Sequence, residues 1–303
     1  MKIPDRFIER YGSLVDDKGA FLSCLGIMPP KSFRVNTLKS SAEEVARRFE
    51  GYGIGLKRVP WYGDAFICDN PEAGFSLEHF TGAIYMQELV SMLPPLLVRS
   101  ELEKSRFVLD GCAAPGSKTT QIAAMMNNRG TLIANDVSYS RIRALKFNLE
   151  KAGVLNAVIT NRDLNAFQNL RFETILLDAP CSSEGTIRKN YDVFDSWSES
   201  GIRQYSNVQK QLIVKAFDML MPEGTLTYST CTFAPEENEG VLQHLIDSRP
   251  EARLEKAAFE GLRTSETVAS WNGVEFNEQI RNAARIWPHH NDTGGFFLAK
   301  VKK

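Results

Sequence analysis

Two apolar segments of the 303-residue chain end on a cysteine: ETILLDAPCSSEG sets Cys181 just past Asp178 and Pro180, and GTLTYSTCTFAPEENE sets Cys231 before an acidic stretch. A reduced thiol fixed at a strand end is either a small buried hydrophobe or, with a lowered pKa, a nucleophile. Four apolar runs also carry an Asp at or just past their end: Asp110, Asp136, Asp163 and Asp178. The first three lie 26 and 27 residues apart, the length of successive strand-helix-strand units. One such Asp is more often a turn former or helix cap, but four in register mark a ligand-binding edge.

After Asp110 runs DGCAAPGSKTTQIAA, whose small residues let backbone N–H groups approach an anionic ligand group. Gly111 and Gly116 have the spacing of a phosphate-binding loop, but Ser117 separates Gly116 from Lys118 and breaks that motif, which disfavours ATP. GxGxxG is absent, which disfavours NAD or FAD. S-adenosylmethionine remains, with its carboxylate facing the loop, its ribose hydroxyls on Asp136 and its adenine edge near Asp163.

The elements that must position these residues form a doubly wound α/β pattern. From residue 81 apolar strands (FVLD, TLIAND, AVIT, TILLD, GTLTYST, FFLAKV) alternate with helices expected from Lys118 to about Asn127, from Tyr139 to Gly153, up to about Met221, and from about Glu236 to Ser248. Continuous rather than alternating apolar strands fit a mostly parallel sheet covered on both faces, whose ligands bind beyond the strands' carboxyl ends. YMQELVSMLPPLLV reads as a helix broken at Pro94-Pro95. Residues 1-80 form a small N-terminal α+β domain: FRVNT, LKRVPW and AFICD as strands, with a helix capped by Ser41 and stopped at Gly51 and Gly53. The catalytic domain spans 81-303.

Composition fits a globular protein, 43% hydrophobic and 24% charged, without an apolar run of membrane-spanning length. The charged start MKIPDRFIERYG has no signal-peptide core, so a cytoplasmic monomer is expected. A net charge of -1 gives no global basic field, so nucleic-acid contacts must be local. Five widely spaced cysteines show no zinc spacing, and His289 and His290, as neighbours in sequence, are expected to diverge, so no metal is expected. Cys24 and Cys68 read as structural.

Several long motifs in order make the chain resemble the Sun/Fmu-type RNA cytosine-C5 methyltransferases: FRVNTLK, GAIYMQELVSMLPPLL, DGCAAPGSKTTQIA, NDVSYSRIRAL, LLDAPCSSEGTIRKN, YSTCTFAPEENE and RIWPHHNDTGGFFLAKV. The resemblance implies a class I, Rossmann-like S-adenosylmethionine methyltransferase. It places cofactor contacts on Cys112, Ala113, Ala114, Pro115, Gly116, Ser117 and Lys118, and on Asp136, Arg141, Asp163 and Asp178. It makes Cys231 the nucleophile and Cys181 the second cysteine. One departure is Ser117, where the family usually has Gly; that matters only if the position needs a positive φ.

Carbon 5 of cytosine is too weakly nucleophilic to accept a methyl group directly, and thiolate addition at carbon 6 makes it enamine-like. In the implied division of labour Cys231 attacks and Cys181 assists release. Asp178, if protonated, would donate near N3. A flipped or single-stranded base is the expected substrate, with Arg188, Lys189, Asn190 and the basic residues of the N-terminal domain, among them Lys31, Arg34, Arg47, Arg48, Lys57 and Arg58, as candidate phosphate contacts. Trp61 and Tyr62 either stack on bases or pack the small domain. Transfer RNA is the expected partner, most like archaeal family members. Ribosomal RNA is the alternative, followed by a non-catalytic RNA-binding factor and a DNA cytosine methyltransferase.

Overall fold

The computed structural model describes residues 3–68 and 70–303; Asp69, the last residue of the expected AFICD strand, lies outside them. Two short helices open the chain, α1 (Asp5–Gly12) and α2 (Lys18–Leu25). Strand β1 (Ser32–Val35) leads to α3 (Ala42–Gly51), where Ser41 and Glu44 form a full capping box. Strands β2 (Lys57–Val59) and β3 (Tyr62–Ile67) follow, then α4 (Leu77–Thr81) and β4 (Ile84–Met86). These strands make a small sheet in the order β2-β3-β1-β4, so it reaches past residue 80.

The expected helix over YMQELV is therefore partly strand. Pro94 and Pro95 occupy the first turn of α5 (Leu93–Leu97), where a missing N–H costs nothing, and so help to start that helix rather than break one. Helix α6 (Arg99–Leu102) leads into the large sheet.

The large sheet is built from β5 (Phe107–Asp110), α7 (Ser117–Met125), β6 (Thr131–Asn135), α8 (Tyr139–Ala152), β7 (Ala157–Thr160) and β8 (Phe172–Asp178). Then come α9 (Val193–Ser196), α10 (Glu199–Asp218), β9 (Leu220–Thr230), α11 (Glu239–Ser248) and β10 (Arg253–Glu255). A hairpin of β11 (Ser270–Trp271) and β12 (Val274–Glu275), then β13 (Ala284–Ile286), α12 (Pro288–Asn291) and β14 (Phe296–Lys302), complete the chain.

Sheet order is β10-β14-β9-β8-β5-β6-β7, with β7, β6, β5, β8 and β9 parallel and β14 running antiparallel on β9. This is the doubly wound arrangement of class I methyltransferases, and its direction of winding reverses between β5 and β8, whose carboxyl ends carry Asp110 and Asp178.

Met221 lies in β9 rather than in the preceding helix, which ends at Asp218, and α11 starts at Glu239 rather than Glu236. The main core lies between the large sheet and α10 and α11. A second cluster ties α1 and α2, through Phe7, Tyr11, Phe21 and Leu25, to Ile187, Phe233 and Trp287 of the large domain. Helices α1 and α2 thus pack against the large domain rather than with the small sheet. Among the described residues, no helix is long and apolar enough to cross a membrane.

Candidate active site

Beyond the carboxyl ends of β5, β6 and β8 opens a cavity of about 540 Å³ lined by Gly111, Cys112, Ala114, Asp136, Arg141, Asp163, Asp178, Cys181 and Cys231, together with Asn135, Arg162 and residues of α10. Its size suits a drug-sized ligand. Asp136 is buried at its rim: Oδ1 accepts from Ser138 N at 2.9 Å and Oδ2 from Ala114 N at 3.1 Å, with Arg141 Nη1 3.3 Å away. Arg141 also donates to Ala114 O, so the loop and the Asp136 carboxylate hold each other. Asp163 caps a short turn by accepting from Asn165 N at 2.8 Å.

The loop adopts a positive φ, +106°, at Gly116, and Ser117 is the first residue of α7 with ordinary helical angles. Serine in place of the family's glycine is accommodated. Ala113, Pro115, Gly116 and Ser117 shape the loop without bordering the cavity. Beneath it, Asp110 accepts from Thr119 Oγ1 at 2.7 Å, while its Oδ1 has no partner among the described residues. Burial pushes its carboxyl up to about 7, against the hydrogen bond from Thr119 and the charge of Lys118.

Lys118 does not point into this cavity. Its Nζ lies 2.6 Å from Asp178 Oδ2 and 3.2 Å from Ser91 Oγ, bordering a smaller cavity of about 200 Å³ with Glu88, Gly185, Lys189, Cys231 and Phe296. Burial lowers its pKa, but the charge and hydrogen bond of Asp178 outweigh this and the net shift is upward. Asp178 also accepts from Ser229 Oγ at 2.7 Å, so both its oxygens receive donors. Lys118 sets the positive charge beside the small cavity.

The two cavities meet at Asp178 and Cys231, the two residues that line both. The thiols of Cys181 and Cys231 are 3.3 Å apart, with Ser183 Oγ at 4.0 and 3.7 Å respectively. The hydrogen bond with Cys231, followed by burial, pushes the Cys181 thiol well up. Gly185 brings the loop after Cys181 against the turn that enters β14: its N donates to Cys231 O at 2.8 Å, and Gly295 N donates to Gly185 O at 2.9 Å.

The family model described as 16S rRNA methyltransferase RsmB/F matches residues 98–302, and that of the N-terminal domain of 16S rRNA methyltransferase RsmF matches residues 3–89. The chain belongs to this family of RNA methyltransferases. Among its relatives, the tRNA (cytosine(49)-C(5))-methyltransferase of Pyrococcus abyssi is 40% identical, the match covering 100% of this chain and 97% of that protein. Ribosomal RNA small subunit methyltransferase F of Vibrio parahaemolyticus is 39% identical over 99% of this chain but 63% of its own length, so the chain spans less than two thirds of that relative. The crystal structure of a methyltransferase homolog protein from Pyrococcus horikoshii superimposes with a TM-score of 0.84 at 32% identity, covering 99% of this chain and 100% of that one.

Within this family member, other expected residues find different employment. Arg34 is buried: Nε donates to Gln87 Oε1 at 2.8 Å, and Nη2 to Ser117 O at 2.9 Å and to Thr120 Oγ1. Arg188 is equally buried, bonded to Ile27 O, Thr293 O and Asp292 Oδ1. The bonds of both are thus made within the protein, although Arg188 also borders the smaller cavity. Lys189, Asn190, Lys31, Arg47, Arg48, Lys57 and Arg58 are exposed. Trp61 and Tyr62 pack between the small sheet and Leu96, the bland reading of the two. Cys68 is fully buried, and burial pushes the half-buried Cys24 thiol up to about 11.

His289 and His290 do not diverge. Both Nε2 atoms lie 2.9 Å from Asp16 Oδ1, because the single turn of α12 packs against the start of α2 and the carboxylate sits between the rings. Arg263 Nη2, 2.6 Å from Asp16 Oδ2, already balances that charge. Sequence reasoning missed Glu88, which faces the small cavity while accepting from Gly294 N, Val90 N and Ser91 N. Its donor Gly294 lies 206 residues away in sequence, so no local pattern marks it.

Proposed function

We propose that this methyltransferase acts on carbon 5 of cytosine in transfer RNA, through a covalent adduct between Cys231 and carbon 6, with Cys181 assisting release. The observation that carries this reading is the sharing of Asp178 and Cys231 between the cofactor-sized cavity and the smaller one. A thiol at that junction can attack a base in the small cavity while a methyl donor in the large one faces the same base.

The residues present fit S-adenosylmethionine. Asp136, Asp163 and the loop at Cys112 and Ala114 would hold it, and when bound it supplies an electrophilic methyl group. Lys118 borders the small cavity together with Cys231 and sets a positive charge there. Addition of that thiolate at carbon 6 moves electron density onto the ring, and Lys118, with two of its N–H groups committed to Asp178 and Ser91, keeps one for the base. After carbon 5 takes the methyl group its proton passes to water, the electron pair of that C–H bond re-forms the double bond between carbons 5 and 6, the carbon–sulfur bond breaks, and Cys231 departs as thiolate. Cys181, whose thiol is held protonated at 3.3 Å, stands ready to protect that departing sulfur with a hydrogen bond.

Transfer RNA is favoured because the similarity to the tRNA-modifying relative extends over nearly all of that protein. Incubation with methyl-labelled S-adenosylmethionine and separated tRNA and ribosomal RNA tests it, with the modified nucleotide then mapped. Label at cytosine carbon 5 in tRNA supports the proposal; label confined to ribosomal RNA selects the alternative; no label from either leaves a binding role.

A further inference from the structure

Behind the two thiols lies a pair of carboxyl groups that this reaction leaves unused. Glu184 and Glu237 are fully buried, and among the described residues neither forms an ion pair. Ser182 and Thr232, which directly follow Cys181 and Cys231, reach both of them. Ser182 Oγ lies 2.6 Å from Glu184 Oε2 and also contacts Glu237 Oε1; Thr232 Oγ1 contacts Glu184 Oε2 and lies 3.4 Å from Glu237 Oε1. The outer oxygens are occupied too. Glu184 Oε1 accepts from Tyr11 Oη at 2.8 Å and Trp197 Nε1 at 3.1 Å, and Glu237 Oε2 accepts from Gln209 Nε2 at 2.7 Å and Ser182 N at 3.1 Å.

The two hydroxyl protons do not suffice for the three close contacts between hydroxyl and carboxyl oxygens. Each hydroxyl has one to give. If Ser182 and Thr232 both donate to Glu184 Oε2, the close contact between Ser182 Oγ and Glu237 Oε1 lacks a proton unless Glu237 brings it. We propose that Glu237 is held as a neutral acid donating to Ser182 Oγ while Glu184 is the carboxylate gathering four donors, and that this one proton fastens the two cysteine-bearing loops together. Glu237 is thus a positioning residue: it acts on the thiols through Ser182 and Thr232.

Burial, and then the charge of Glu184, pushes the Glu237 carboxyl up to about 8. The other titratable groups around it stay protonated far higher. Cys181 is raised by its bond to Cys231 and by burial; Tyr228, whose hydroxyl donates to Glu237 O at 2.6 Å, and Tyr11, against Glu184, are raised by burial. Arg10 beyond Tyr11 is paired with Glu236. Since the folded carboxyl lies above its ordinary 4.5, the proton's contribution to stability is full below that value and is lost as pH rises to about 8. Above it two carboxylates share the Ser182 and Thr232 hydroxyls with one proton too few, and the loops part.

The test is thermal unfolding of the full chain between about pH 6 and about pH 9 for wild type, Glu237→Gln and Glu184→Gln, because this readout does not depend on the proposed reaction. In Glu237→Gln the new side chain can donate its amide N–H to Ser182 Oγ and accept from Ser182 N and Gln209, so this variant should melt close to wild type at the acid end and gain on it towards the alkaline end. Glu184→Gln turns an N–H towards donors, and should melt lower by roughly 5 °C or more at every pH, or fail to fold. The reverse order of damage, or a difference between wild type and Glu237→Gln that does not change with pH, overturns the proposal. The activity readout rests on the function proposed above: methylation by wild type should fall near pH 8 and that fall should move up or vanish in Glu237→Gln, and an unchanged fall also overturns it. A wild type inactive on tRNA refutes the substrate reading, and the melting series then decides the proton.

Discussion

The Sγ of Cys231 lies 3.3 Å from the Sγ of Cys181, yet Cys231 borders both cavities and Cys181 borders the larger one alone. Two thiols this close are chemically unequal through what else they touch. Cys231→Ala should therefore abolish both methylated product and any covalent species, whereas Cys181→Ala should accumulate a covalent protein-RNA complex. Denaturing gels of each variant with RNA and S-adenosylmethionine check this, and matching behaviour of the two would remove the division of labour.

Lys118 supplies the cation of the small cavity. Replacing it with Met removes the charge beside Cys231 and leaves Asp178 with one donor, Ser229. Methylation should fall about 10²-fold or more, the usual cost of a lost preorganised donor. In a Cys181→Ala background the same change should slow alkylation of Cys231 near neutral pH. An alkylation rate equal to that of the parent would mean that Lys118 does not act on the thiolate.

The large sheet was legible because its strands are continuous apolar runs and their ends carry the four Asp residues. The site was legible in its types but not in its pairings. Charge is a fair predictor of exposure, which is why Arg34 and Arg188 read as surface residues. What buries them is a set of carbonyl groups, Ser117 O for one and Ile27 O and Thr293 O for the other, distant in sequence and invisible to local pattern. Glu237 was illegible for the same reason, since its partners Ser182 and Gln209 lie 55 and 28 residues away in sequence. Helix α1 went unread because only Phe7 and Tyr11 of its eight residues are buried.

Gly185 marks a close approach of two backbones in the site. A Cβ there would lie 2.1 Å from Gly295 O and 2.9 Å from Gly295 Cα, both backbone atoms that cannot swing away. Gly185→Ala should force the loop after Cys181 off the turn that enters β14, costing about 2 kcal/mol, and so lower the melting temperature by several degrees. Methylation should fall further than folding, since Gly185 N also holds Cys231 O. Circular dichroism melting alongside the methylation assay separates the two losses, and a neutral substitution would show the contact to be slack.

Asp110 titrates beneath the cofactor loop. Its folded carboxyl is raised from 3.8 to about 7, so its favourable contribution is full below the ordinary value and is lost as pH rises to 7. Asp110→Asn keeps a neutral side chain at every pH. The melting temperature of the variant relative to wild type should rise steadily between those limits and level off above them. A flat difference across the range would show that Asp110 is charged throughout.

Arg34 connects the small sheet to the cofactor loop. Its guanidinium lies under 2% exposed, with no carboxylate partner among the described residues, and burial lowers its pKa. Gln87 Oε1 after β4, and Ser117 O and Thr120 Oγ1 in α7, share its N–H groups. Arg34→Met removes the donors and strands those acceptors, at about 1–3 kcal/mol for each left unpaired. Because Ser117 opens α7 directly after Gly116, the loss should loosen the loop more than the thiols. The dissociation constant for S-adenosylmethionine, measured by calorimetry, should rise about tenfold or more, a change of about 1.4 kcal/mol. The rate of Cys231 alkylation should stay near that of wild type, since no bond from Arg34 reaches the smaller cavity. Unchanged cofactor affinity would show that the small sheet grips the catalytic domain without shaping its loop.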